Sequence, residues 1–140
     1  MLDVLGETVS ASPTSRSVSI VVPLVPPTVN HYVKHTRNGR HYVTKEAKAF
    51  KEAVALFARR QRIMEADAYE VEAHVYLGHG QRGDVDNFGK CLLDSLQAAG
   101  VITSDARVTD LILRKRRDVR YPRTEITVRR ADRSNDGMGI

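Results

Sequence analysis

Hydrophobic and polar residues alternate along several stretches of this chain and switch to helical spacing in two others. Val18, Ile20, Val22 and Leu24 alternate with Ser17 and Ser19, which predicts a half-buried strand ended by Pro26-Pro27. Ala47, Phe50, Val54 and Phe57 recur at steps of three and four, so an amphipathic helix is expected from about Lys45, capped by Thr44. Its outer surface would carry Lys48, Lys51, Arg59, Arg60 and Arg62. Val71, Ala73, Val75 and Leu77 alternate with Glu72, His74 and Tyr76 and predict a second strand. Gly78, Gly80 and Gly83 follow as an irregular loop. A second helix is expected from about Asn87 to Ala99, with Phe88, Leu92, Leu96 and Ala99 on its apolar face and Gly100 as its C-cap. Residues 107–116 and 123–130 read as two more strands joined through Asp118–Pro122. The fold expected is α+β: a small mixed sheet of about four strands packed against two main helices.

Residues 1–16, rich in Ser, Thr and small side chains, read as a flexible leader, and the segment from 132 to 140 reads as a polar tail. The folded domain expected between them covers 17–131. A chain of 140 residues with 41% hydrophobic content supports one domain with a core. The single cysteine, Cys91, excludes an intrachain disulfide and sits in an apolar helix pattern, as a core residue would. The five histidines show no zinc spacing. No secretory signal and no apolar run of about 20 residues are visible, so a cytoplasmic setting and no membrane partner are the default expectations.

Charge changes the picture modestly. Lys and Arg number 22 against 17 Asp and Glu, a formal +5, which is compatible with a polyanionic partner. In residues 28–45, Lys34, Arg37, Arg40 and Lys45 are interleaved with His31, His35, His41, Tyr32 and Tyr42 around an Asn38-Gly39 turn. Such a segment can grip phosphates and stack on exposed bases, or be a solvated hairpin; the alternation favours nucleic acid. Arg82, Arg114 and Arg116 are further candidates for DNA contact. The run Arg114-Lys115-Arg116-Arg117 could equally be the solvated end of a hairpin.

The chemistry concentrates between Arg82 and Asp110. Asp84 and Asp86 stand where the loop meets the second helix, and on an extended approach both would point the same way. Lys90, four residues on, could reach back to that end, and Asp105 would join them if the Gly100–Ser104 turn folds back along the helix. Two carboxylates ~4 Å apart repel by roughly 4 kcal/mol at an effective dielectric of 20, so three such groups call for a compensating charge or for protonation of some of them. Hard oxygen ligands suit Mg²⁺, and the reaction class implied is phosphodiester hydrolysis. D-x-D-N before a helix is also an ordinary capping sequence. An EF-hand is excluded because Phe88 and Ser95 stand where loop ligands belong. A metal-dependent sugar transferase would need a nucleotide-binding domain for which there is little room.

Gly83-Asp84-Val85-Asp86-Asn87-Phe88-Gly89-Lys90, then Asp94, Leu96 and Asp105, resembles the signature of the RusA family of Holliday-junction resolvases. Pro26-Pro27-Thr28-Val29-Asn30-His31-Tyr32 and the Thr44-Lys45-Glu46 helix start are similar to that family as well. The resemblance spans roughly residues 18–130. It implies a homodimer that binds four-way or branched DNA and resolves it by paired symmetric nicks, using Mg²⁺ or Mn²⁺. It implies Asp84, Asp86 and Asp105 as metal-site residues and Lys90 as the catalytic lysine. Some members carry two acidic residues where this chain has Ser104-Asp105. The alternatives are a non-catalytic, structure-selective DNA-binding module and a nuclease with a different branched or duplex preference.

Overall fold

The computed structural model describes residues 17–35, 41–59, 61 and 65–131, so the leader, the tail and the Asn38-Gly39 turn lie outside the described residues. Strand β1 (Ser17–Val22) alternates exposed and buried side chains as its sequence dictates. It stops before Pro23, two residues earlier than the alternation predicts. A short 3-10 turn (Val29–His31) leads to an antiparallel pair, β2 (Val33–His35) and β3 (His41–Val43). Helix α1 (Lys45–Ala58) begins where Thr44 accepts a hydrogen bond from the Ala47 N–H, and the Thr44 hydroxyl in turn donates to the His31 carbonyl at 2.7 Å. Its buried face is Ala47, Phe50, Val54 and Ala58. Phe57, expected inside, is 46% exposed: it lies one residue off the stripe that Phe50 and Val54 continue to Ala58.

Strand β4 (Tyr69–Leu77) carries the second alternation and is the third member of a four-stranded sheet in the order β1-β6-β4-β5. β5 spans Val108–Arg117 and β6 spans Arg123–Arg130. β5 runs parallel to β4, while β6 is antiparallel to both β4 and β1. The connection through Asp118–Pro122 is therefore no hairpin, because β4 lies between β5 and β6. Helices α1 and α2 (Gly89–Ala98) cover one face of the sheet. The core joins Phe50 and Val54 of α1, Leu92 and Leu96 of α2, and Val71 and Ile126 of the sheet. This α+β arrangement, a four-stranded mixed sheet with two helices, is the fold class expected. Among the described residues no helix is long and apolar enough to cross a membrane.

Candidate active site

The segment that holds Asp84 is braced from two sides. Gly83, at φ +152°, packs so tightly that an added Cβ would lie 2.6 Å from Thr28 Cγ2 and 2.7 Å from Phe88 Cζ. Phe88 is buried and anchors a small cluster with Val75, Leu77 and Val25. From the sheet side, Lys115 Nζ donates to the Gly83 carbonyl at 2.9 Å. Arg117 donates to the Gly78 carbonyl at 2.7 Å and to that of Gln81 at 3.3 Å. Strand alternation splits the basic run into two faces: Lys115 and Arg117 pair in register with the inward Val75 and Leu77, and Arg114 and Arg116 with the outward His74 and Tyr76. Half of the basic run is thus committed to holding the acidic loop.

Asp84 is extended, but Val85–Phe88 forms a 3-10 turn, closed by the Asn87 N–H donating to the Asp84 carbonyl. The period-two reason for placing Asp84 and Asp86 side by side therefore fails, although both remain at the tip of one tight segment. Both side chains are exposed. Among the described residues neither carboxylate has a hydrogen-bond or ion-pair partner. The positive end of α2 lies just beyond them and favours negative charge there.

Lys90 does not reach back. Its ammonium lies 3.4 Å from Asp94 Oδ2, one turn further along α2. That same oxygen accepts a 2.6 Å hydrogen bond from the Tyr32 hydroxyl, over whose ring the Lys51 ammonium sits at 5.0 Å. Burial, then the bond to Asp94, push the Tyr32 phenol well above its ordinary range, so it stays a donor at neutral pH. Tyr32 and Asp94 are thus a support for Lys90. The Lys90–Asp94 spacing of four was visible in the sequence; Tyr32, 62 residues away from Asp94, was not.

Asp105 does not fold back along α2 either. Gly100 (φ +79°) terminates the helix, with Val101 N–H donating to the Leu96 carbonyl. Asp105 follows in a 3-10 turn (Asp105–Arg107), where its N–H donates to Gln97 Oε1 at 2.9 Å and Ser104 Oγ accepts from the Ala106 N–H. Ser104 thus caps the turn. Asp105 stands at the Tyr69–Val108 end of the sheet, while the Asp84 loop stands beside Lys115 and Val75. The ten-residue α2, about 15 Å long, lies between them in the chain. Among the described residues no three His, Cys, Asp or Glu side chains stand together in a group that could hold a metal ion. Among the described residues, Asp84 and Asp86 have no third carboxylate grouped with them.

Of the candidate DNA contacts, Lys45 is exposed at the start of α1 and Arg82 is exposed beside the acidic loop. Arg114 and Arg116 are exposed on the open face of the sheet, Arg114 being 3.9 Å from Glu72. Arg37, Arg40 and the Lys34 side chain lie outside the described residues. Cys91 is buried, as expected. His74 is held by Glu72 at 2.8 Å and serves the sheet surface.

Residues 23–129 match the family described as Endodeoxyribonuclease RusA. The chain is 31% identical to the crossover junction endodeoxyribonuclease RusA of Escherichia coli K12 over 115 residues, covering 81% of this chain and 94% of that protein. It is 30% identical to the protein of that name from Shigella sonnei over 115 residues, with the same coverage. To that from Enterobacteria phage 82 it is 30% identical over 105 residues, covering 74% of this chain and 87% of the relative. A family match over most of the chain, with the Asp84–Lys90 segment inside it and relatives aligned along nearly their whole length, has one reading: this chain belongs to the RusA family of endodeoxyribonucleases.

Proposed function

We propose that the protein is a metal-dependent endonuclease that resolves four-way DNA junctions by paired nicks, working as a homodimer whose two sites are each shared between subunits. The observation that carries this reading is the pair of unpartnered, exposed carboxylates, Asp84 and Asp86, fixed at the head of α2 in a chain of this family. They would hold Mg²⁺ or Mn²⁺ as hard oxygen donors. When bound, the ion supplies polarisation of the scissile phosphate and a more acidic water for attack. Lys90, steered by Asp94, would hold the phosphate that faces α2 and offset charge building on it.

The third carboxylate has a source in a second copy. β5 is an edge strand of ten residues without proline, and its outer edge has no partner strand among the described residues. Two copies can pair there antiparallel about a two-fold axis. Centred on Ile112, that pairing sets Asp110 opposite Arg114 of the partner subunit, and Leu111 opposite the partner's Leu113. It also carries Asp105 of the partner subunit, which precedes its β5, toward the end of this β5 where Lys115 holds the acidic loop. A two-fold dimer with a site on each side also suits a two-fold junction that needs two symmetric cuts. On the outer surface, Lys45, Arg82, Arg114 and Arg116 would supply phosphate contacts.

The test is cleavage of a synthetic four-way junction with Mg²⁺. The wild type should nick two opposed strands, and Asp86→Asn should nick at least about a hundredfold more slowly with junction affinity little changed. Equal rates for the two proteins would remove Asp86 from the chemistry. Binding without any product in Mg²⁺ or Mn²⁺ would make the protein a DNA-binding module only.

A further inference from the structure

Beside the acidic loop lies a cleft of about 320 Å³, walled by the Val25–Thr28 segment, the start of α1, and Gln81, Arg82 and Phe88. Its apolar lining is Val25, Pro26 and Pro27, backed by the buried ring of Phe88. Its rim is polar: His31, Glu46 and Arg82. Among the described residues the Glu46 and Arg82 side chains have no hydrogen-bond or ion-pair partner, so an acceptor and a donor face the mouth uncommitted. His31 is oriented by a 3.0 Å contact between its Nδ1 and Thr28 Oγ1. An apolar lining with a few uncommitted polar groups beside it is the composition of a site for a small, partly polar ligand such as a heterocycle.

We propose that this cleft takes up one unstacked nucleobase of the strand cut at the acidic pair. The inference rests on the nuclease reading above. Position selects the occupant: Arg82 stands two residues before Asp84, and Phe88 two after Asp86, so one short segment builds both a wall of the cleft and the acidic tip. A strand whose phosphate lies at Asp84 and Asp86 has its neighbouring base within reach of the cleft. The base face would pack on the partly exposed Val25 and Pro27, with Glu46 accepting from an exocyclic amine and Arg82 donating to a ring nitrogen or carbonyl. The close packing of Gly83 on Thr28 and Phe88 couples the filled cleft to the position of Asp84. Extrusion costs least where pairing is already interrupted, so the cleft would favour a branch point over continuous duplex.

The experiment uses four-way junctions carrying 2-aminopurine at single positions on either side of the cut, bound by full-length Asp86→Asn so that the DNA stays intact. Anisotropy establishes that the junction is fully bound. The expected result is a severalfold rise in fluorescence at one flanking position, lost when Glu46→Trp, which fills the mouth, is added. Arg82→Gln, which removes a rim donor without adding bulk, should reduce the same rise. In the otherwise wild-type enzyme, an abasic site at that position should slow cutting by about tenfold, and should slow the Glu46→Trp enzyme no further. No bright position on a bound junction, or equal brightness with Glu46→Trp, would overturn the proposal while leaving the nuclease reading intact. A wild-type protein that neither binds nor nicks the parent junction would overturn both.

Discussion

At the scale of single residues, the feature with most leverage is an oxygen, Asp94 Oδ2, that serves Tyr32 and Lys90 at once. Removing the phenol hydroxyl frees that carboxylate and with it the lysine. Tyr32→Phe should cost about 1.5–3 kcal/mol of stability, the size of a hydrogen bond to a charged group, measured by urea unfolding. It should also lower the rate of junction cutting more than junction affinity, since the ring stays in the core beside the Lys51 ammonium while only the hydroxyl is lost. Cys91 is the opposite case, a titratable group kept out of the chemistry. Burial pushes its thiol up to about 11, so the folded protein holds it neutral. The sign follows: stability is unaffected below the ordinary thiol value of 9.0 and declines as pH climbs from there toward about 11, where the unfolded chain ionises first. A thiol reagent at pH 8 should label the unfolded chain and leave the native one unlabelled.

At the scale of elements, β5 does two jobs on two faces. Lys115 and Arg117 point inward to backbone carbonyls of the acidic loop, while Arg114 and Arg116 face outward. Lys115→Met with Arg117→Gln should therefore slow cutting without either side chain reaching DNA. Amide exchange at residues 78–84 should speed up in parallel, and unchanged exchange would contradict the bracing role. The four-residue basic run was legible in the sequence as charge, and its alternation follows from the strand period. Its purpose was not legible, because that depends on β5 lying beside β4 in parallel, a long-range pairing that leaves no local mark. The same holds for the Asp118–Pro122 link, which has the length of a hairpin and instead crosses the end of β4. There the Asp118 carboxyl is held below its ordinary range by the Arg123 guanidinium, which hydrogen-bonds it. The two helices and four strands were legible because their apolar periods are long and uninterrupted, and Phe57 was misjudged because a stripe read in steps of three and four leaves its last member free to be either of two neighbours.

At the scale of the molecule, the sequence carried Asp84, Asp86, Lys90 and Asp105 as a set, but not the distance between them. The ten-residue α2 and the Gly100 turn hold Asp105 at the far end of the sheet, and nothing in local spacing announces that. The second copy proposed across the β5 edge would resolve the conflict in physical terms, and it predicts a solution mass of twice the 15.6 kDa monomer by sedimentation or light scattering. The most direct test mixes two inactive chains. Asp86→Asn and Asp105→Asn subunits are co-purified as a heterodimer and given a four-way junction with Mg²⁺. With shared sites, one of the two sites in that heterodimer is whole, and single-strand nicking returns. If the confirmed heterodimer stays as inactive as either parent, each site is built within one chain and the account is wrong.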